Sequence, residues 1–231
     1  DRSANPACCA EQRNVLKLSL VEEYEAPYRA TARLAEASLK GEPRMTNIKS
    51  ICVYCGASDD VQPGYIKLAE ELGRELAKRD IRLVYGGGGV GLMGACARSA
   101  HESAGDVLGI MPRFLLNKER IYEDVEHRIV NDMHTRKQMM FDESDAFIVL
   151  PGGIGTLEEA VEILSWARLG LHAKPMAFLD EDGFWSPFFE LMEHIIDGKF
   201  TPEGFRASLV HSDTPQQAID ALMDKVIVLD N

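Results

Sequence analysis

The stretch Pro-Gly-Gly-Ile-Gly-Thr-Leu-Glu-Glu at residues 151–159 couples a glycine-rich bend to two carboxylates within one helical turn. It follows the apolar run Ala146-Phe-Ile-Val-Leu150, so Gly152, Gly153, Ile154 and Gly155 leave a strand and Thr156 opens a helix. The first N–H groups of a helix have no intrahelical acceptor and sit at the positive end of its dipole. Such a turn is an anion site, suited to a phosphate monoester. No Lys-Ser/Thr follows the last glycine, which disfavours a Walker loop and NTP hydrolysis. Glu158 and Glu159 fall in the first turn, where acidic residues complement the dipole. One of them need do no more than that; the ligand-shaped loop beside them argues that the other has chemical work.

A second glycine run, Gly86-Gly-Gly-Gly-Val-Gly-Leu-Met-Gly94, fits the G-x-G-x-x-G spacing at Gly89, Gly91 and Gly94. A dinucleotide site also needs an acidic residue at the end of the following strand, to hold a ribose. Here that strand ends Ile110-Met-Pro-Arg113, so NAD and FAD are disfavoured. The reading that remains is a phosphate- or ribose-contacting loop, with Gly87 and Gly88 as candidate contacts. Tight turning and close helix–sheet packing explain some of these glycines without a ligand. Upstream of the core strand, Arg136-Lys137 would set two cations near the mouth of the 151–155 loop, where an isolated pair would be only surface charge.

Other features carry less. Cys52 and Cys55 spell CxxC, but residues three apart in a strand face opposite sides, and no second pair accompanies them. The six histidines form no ligand set of the HExxH kind, and no metal or cofactor is called for. Methionines such as Met139 and Met140 read as packing, and Trp166 and Trp185 as core or interface anchors.

These residues need a scaffold, and the chain supplies short apolar runs alternating with amphipathic stretches from Ile48 onward. Strands are predicted at 50–55, 81–85, 106–111, 146–150, 175–179 and 209–211. Helices are predicted at 65–79, 92–103, 133–144, 156–169, 185–196 and from a Thr214 cap to about 226. Residues 113–132 read as irregular and polar. Strand–helix alternation specifies a single α/β domain, a parallel sheet with helices on both faces, whose ligands sit beyond the carboxyl ends of the strands. Residues 1–44 contain no Val/Ile-rich strand and precede Met45, a plausible start. They are expected to be an extension or a non-native segment ahead of a domain at 45–231.

Composition narrows the function. With 231 residues, 45% hydrophobic and 27% charged, the chain is of ordinary globular make-up. A net charge of −12 repels phosphodiester backbones, so no nucleic-acid partner is expected. No apolar run is long enough to span a bilayer. Five cysteines, an odd number, suit reduced thiols in the cytoplasm rather than a disulfide framework. Leu164, Trp166, Leu169 and Leu171 offer more apolar surface than one helix side buries, which predicts a homodimer formed near that helix.

In combination these elements resemble the LONELY GUY (LOG) family of cytokinin-activating phosphoribohydrolases. Pro151, Gly152, Gly153, Gly155, Thr156 and Glu159 match its PGGxGTxxE mark, Arg136-Lys137 its upstream pair, and residues 83–88 and 91–94 its glycine phrases. The likeness spans about residues 48–228. It implies a Rossmann-like fold and hydrolysis of the N-glycosidic bond of a nucleoside 5′-monophosphate, a cytokinin riboside 5′-monophosphate and/or AMP. The products would be free base and ribose 5-phosphate. By the same resemblance Arg136 and Glu159 are the catalytic pair. Substrate contacts fall on Glu119, Lys137, the loop and turn Gly152, Gly153, Ile154, Gly155, Thr156, Leu157 and Glu158, and Ser165, where members often carry threonine. The family's active site is shared across a homodimer. Some relatives are labelled lysine decarboxylases, yet nothing in this chain identifies a pyridoxal phosphate lysine. The competing reading is a nucleotide- or molybdopterin-binding carrier of the same superfamily fold, which need not keep both Arg136 and Glu159.

Overall fold

A computed structural model of the chain describes residues 48–116 and 120–229, with side chains placed as far as residue 225. The proposed extension at 1–44 and the candidate contact Glu119 lie outside the described residues. The chain enters the sheet at its centre. Strand β1 (Ser50–Tyr54) is followed outward by α1 (Pro63–Lys78), β2 (Arg82–Tyr85), α2 (Gly91–Glu102), β3 (Val107–Pro112) and β4 (Glu126–Val130). Helix α3 (Met133–Asp142) then carries the chain back to β5 (Ala146–Val149), on the other side of β1. Helix α4 (Ile154–Arg168), β6 (Met176–Leu179), α5 (Ser186–Asp197), β7 (Val210–Ser212) and α6 (Pro215–Leu229) complete the opposite half. All seven strands are parallel, in the order β4-β3-β2-β1-β5-β6-β7. The order reverses between β1 and β5, and a crevice opens at the carboxyl ends of strands where that happens.

The alternation of side chains along the strands sorts the core into two layers. Ile51, Val53, Leu83 and Ile148 join Leu72, Leu76, Leu92 and Leu222 beneath α1, α2 and α6. Cys52, Val84, Phe147 and Phe178 join Phe141, Ile163 and Phe188 beneath α3, α4 and α5. Cys52 and Cys55 therefore lie in opposite layers, as their spacing predicts. Both faces of the central strands are covered, which is why they read as continuous apolar runs.

The sequence reading missed β4. Glu126-His127-Arg128-Ile129-Val130 pairs with β3 from Leu108↔Glu126 to Pro112↔Val130. It is an edge strand, and its Glu126 meets Arg82 at 3.1 Å while Arg82 also reaches Glu143 at 3.4 Å. An edge strand held by charges lacks the hydrophobic signature by which strands are recognised. Pro112, one residue past the strand predicted at 106–111, is the last residue of β3. No helix among the described residues is long and apolar enough to cross a membrane.

Candidate active site

The segment that leaves β5 differs in one respect from its sequence reading: α4 begins at Ile154, two residues before Thr156. Gly153 is the extended cap, at φ −91° and ψ −158°, and its carbonyl accepts from the Leu157 N–H at 3.0 Å. Thr156 is buried and tucks under the bend. A Cβ on Gly152 would stand 2.2 Å from the Thr156 hydroxyl, so the second residue of the motif must be glycine. The N–H groups of Ile154, Gly155 and Thr156 find no protein acceptor among the described residues. They form the open positive end of a helix, the condition for anion binding.

Arg136 lies in the first turn of α3, a helix fixed at its start by Asp132, which accepts from the Thr135 N–H at 2.9 Å. Its side chain is buried at the carboxyl ends of the strands. Nε donates to Ile110 O at 3.1 Å and Nη2 to Gly86 O at 3.3 Å, while Nη1 lies 3.7 Å from Glu159 Oε1. Main-chain oxygens thus hold the guanidinium, and the carboxylate faces it just beyond hydrogen-bond distance. Burial pushes the Glu159 carboxyl up from 4.5 to about 7; Arg136 opposes the rise, Glu158 adds to it, Lys137 opposes it and Glu162 adds to it. A carboxyl with that value exchanges a proton near neutral pH, as a general acid or base must.

A cavity of about 370 Å³ joins these groups. The end of β1, from Val53 to Gly56, and Gly86 form one wall; Arg136, Thr156, Glu158 and Glu159 face it from α3 and α4. It occupies the switch between β1 and β5, where the Gly56 N–H donates to Pro151 O at 3.0 Å. Met93, Met133 and Met140 line it as well. The sequence reading assigned methionines to packing, and Met140 is in the core with Met139 packed against it, but Met140 borders the cavity too. The spacing of Met133 and Met140, three before and four after Arg136 on one helix, was the available signal.

The other candidates are dispersed. Lys137 pairs with Glu158 at the rim of the cavity and lies 3.4 Å from Glu162. Leu157 is half-buried, and Ser165 is exposed on the solvent side of α4. Gly87, at φ +84°, packs toward Met111 and His127, and Gly88 bridges Ile121; neither lines the cavity, whereas Gly86 does. Of the four residues thought to mark a dimer face, Leu164 is buried and Trp166 packs edge-on against Phe141 at 5.4 Å. The exposed apolar residues of α4 and its C-cap are Ile154, Val161 and Leu169.

A larger cavity, about 590 Å³, opens beside His172, Lys174 and Lys225 and contains none of these groups. Its two lysines donate to Phe141 O and Ala207 O. Asp224 also lines it, but among the described residues no arginine–carboxylate pair of the Arg136–Glu159 kind does.

Three comparisons with known proteins bear on this site. The family model described as "Possible lysine decarboxylase" matches residues 93–222. No lysine among the described residues lines the 370 Å³ cavity. Cytokinin riboside 5′-monophosphate phosphoribohydrolase LOG of Oryza sativa subsp. japonica is 41% identical over 184 residues, 79% of this chain and 76% of that protein. LOG3 of Arabidopsis thaliana, with the same activity in its name, is 40% identical over 186 residues, 80% of this chain and 86% of its own length. Among solved structures, the molybdenum cofactor binding protein of Rippkaea orientalis superposes with a TM-score of 0.60 at 22% identity, covering 79% of this chain and 99% of that one. The molybdenum cofactor carrier protein of Chlamydomonas reinhardtii gives 0.60 at 19%, covering 78% and 99%. At such identities the structural likeness establishes the fold alone. The sequence likeness goes further: the chain belongs to the LOG family of cytokinin riboside 5′-monophosphate phosphoribohydrolases.

Proposed function

We propose that the protein hydrolyses the N-glycosidic bond of adenine-type nucleoside 5′-monophosphates, cytokinin riboside 5′-monophosphates and/or AMP. The products are free base and ribose 5-phosphate. The observation that carries the reading is the buried Arg136–Glu159 pair, 3.7 Å apart, facing the open end of α4. The N–H groups of Ile154, Gly155 and Thr156 receive the 5′-phosphate and so fix the ribose. As the bond from C1′ to the base nitrogen lengthens, positive charge develops on the ribose, and the Glu159 carboxylate beside it stabilises that charge. Water adds to C1′ and its proton passes to Glu159, which returns it to solvent, while the departing nitrogen takes up one proton from solvent, so one water is consumed overall. Arg136 remains charged throughout. Its donors on the cavity side orient the substrate and stabilise the electron-rich leaving base.

A nucleotide- or molybdopterin-binding carrier would use the open helix end and have no need of the buried pair. Incubation with AMP and with isopentenyladenosine monophosphate, followed by separation of the bases, decides between them. The enzyme releases base from the nucleotide and acts poorly on the nucleoside; a carrier binds without turnover. We further propose a homodimer in which a second copy covers Ile154, Val161 and Leu169 and brings Ser165 and Lys137 toward the partner's site. Light scattering that finds a monomer at micromolar concentration refutes this. Cytoplasmic residence fits Cys52, Cys55 and Cys96, which are free and buried.

A further inference from the structure

The glycines at 86–94 look alike in the sequence and meet different obstacles in the fold. A Cβ on Gly89 would come within 2.8 Å of the Ile121 carbonyl carbon, one on Gly91 within 2.6 Å of that of Ala57, and one on Gly94 within 2.2 Å of Gly89 O. These are backbone collisions, and substitution there disturbs the fold. Gly86 differs from these three. A Cβ built on it lies 2.1 Å from Arg136 Nη2, 3.2 Å from Met93 Sδ and 3.4 Å from Arg136 Cζ, so the group it collides with is the guanidinium. The same residue's carbonyl accepts the Nη2 hydrogen bond at 3.3 Å.

We propose that Gly86 is a positioning residue: its bare Cα and its carbonyl seat the Arg136 guanidinium in the one place from which it faces both Glu159 and the cavity. The proposal rests on the hydrolase reading for its consequence, though not for its geometry. Arg136 is held from behind by two strand-end carbonyls, Ile110 O and Gly86 O, which leaves Nη1 on the cavity side, 3.7 Å from Glu159 Oε1 and 3.9 Å from Met133 Sδ. Any side chain at position 86 must push the planar group off that seat. Because the group displaced is the end of a flexible side chain, the fold can absorb the change. Gly86 does not have a positive φ, so alanine is compatible with its backbone. The cost then falls on catalysis, where a displacement of about 1 Å can lower the rate on the order of 100-fold.

The test compares Gly86→Ala, Arg136→Ala and the double variant, with Gly64→Ala as control, a helical site where a Cβ meets nothing within 4 Å. Gly86→Ala is expected to keep the wild-type circular dichroism and lose kcat on the order of 100-fold. Combined with Arg136→Ala it should cost nothing further, because the group it displaces is already gone. The Arg136 Nε–H resonance, assigned by its loss in Arg136→Ala, should shift and exchange faster in Gly86→Ala as the bond to Ile110 O loosens. An unmoved resonance overturns the proposal even if the protein proves a hydrolase. Penalties that add in the double variant overturn it as well. Failure of the wild type to release base would sink the hydrolase reading, while the resonance would still judge Gly86.

Discussion

Helices α2 and α4 both follow a strand and a glycine loop, and both point their N-termini toward the middle of the sheet. Their chemistry differs because of where the first N–H groups go. At α2 the Gly91 N–H donates to Asp59 Oδ1 at 2.7 Å, and the N–H groups of Leu92 and Met93 converge on Gly56 O at 3.1 and 3.3 Å. That helix end is satisfied internally and staples the loop before α2 to the end of β1. At α4 the equivalent groups have no acceptor among the described residues and face a cavity. The first loop fits the better-known fingerprint, yet the second has the open donors. A glycine run beside a helix start identifies a site only when its donors are unoccupied.

The sharpest way to break this comparison is to remove the charges that accompany the open end. Glu159→Gln and Arg136→Ala should each lower single-turnover base release by on the order of 100- to 1000-fold, the usual loss when one electrostatic partner of a transition state is removed. Circular dichroism should remain native. Glu158→Gln is the neighbouring control: its carboxylate is half exposed and paired with Lys137, so its effect should be much smaller. If Glu158 rather than Glu159 proved indispensable, the catalytic carboxylate would have been misassigned.

Glycine substitutions separate the loops by kind of damage. Gly94→Ala, which drives a Cβ into Gly89 O, should cost about 1–3 kcal/mol of stability, seen as a lower midpoint in urea. The folded fraction should retain its KM. Gly153→Ala should do the reverse. Its backbone is extended and a Cβ there meets nothing within 4 Å, so the fold should be untouched. The added methyl group enters the space assigned to the phosphate and should raise KM about tenfold, equivalent to about 1.4 kcal/mol of binding. A destabilised Gly153→Ala with unchanged KM would mean that the second loop, like the first, is built for packing.

Much of this contrast was legible in the sequence. The apolar runs at 50–54 and 146–149 reveal strands covered on both faces, and the loop after each gives the site its place. Glu159 and Arg136 could be named from their motif. Three things could not be read. The start of α4 at Ile154 depends on Thr156 folding beneath Gly152, a contact that propensity does not express. The edge strand β4 is held by pairing and by Arg82, with no hydrophobic pattern of its own. The distinction among Gly86, Gly87 and Gly88 depends on what lies opposite each Cα, and for Gly86 that is a side chain 50 residues further along.

A further expected effect concerns the cost of keeping Glu159 buried at the open end. Its carboxyl titrates near 7 in the fold, raised chiefly by burial, against 4.5 as its ordinary value. Between those two values the unfolded chain has released this proton while the folded protein still holds it. The unfolded state therefore binds fewer protons, and stability falls as pH rises from about 4.5 to about 7, levelling off above. Activity should run the opposite way. The ionised carboxylate is the form that takes a proton from water, so kcat/KM should climb through an acid limb near pH 7. Glu159→Gln separates the two trends. At pH 5 the glutamine resembles the protonated acid and should melt near the wild type. At pH 8 it avoids the buried charge and should be more stable by on the order of 1–3 kcal/mol, a rise in Tm of several degrees. Melts at both pH values measure the gap directly. A gap that stayed constant, or that favoured the wild type at pH 8, would show that Arg136 more than compensates the burial, and that Glu159 is held charged throughout rather than poised near neutrality.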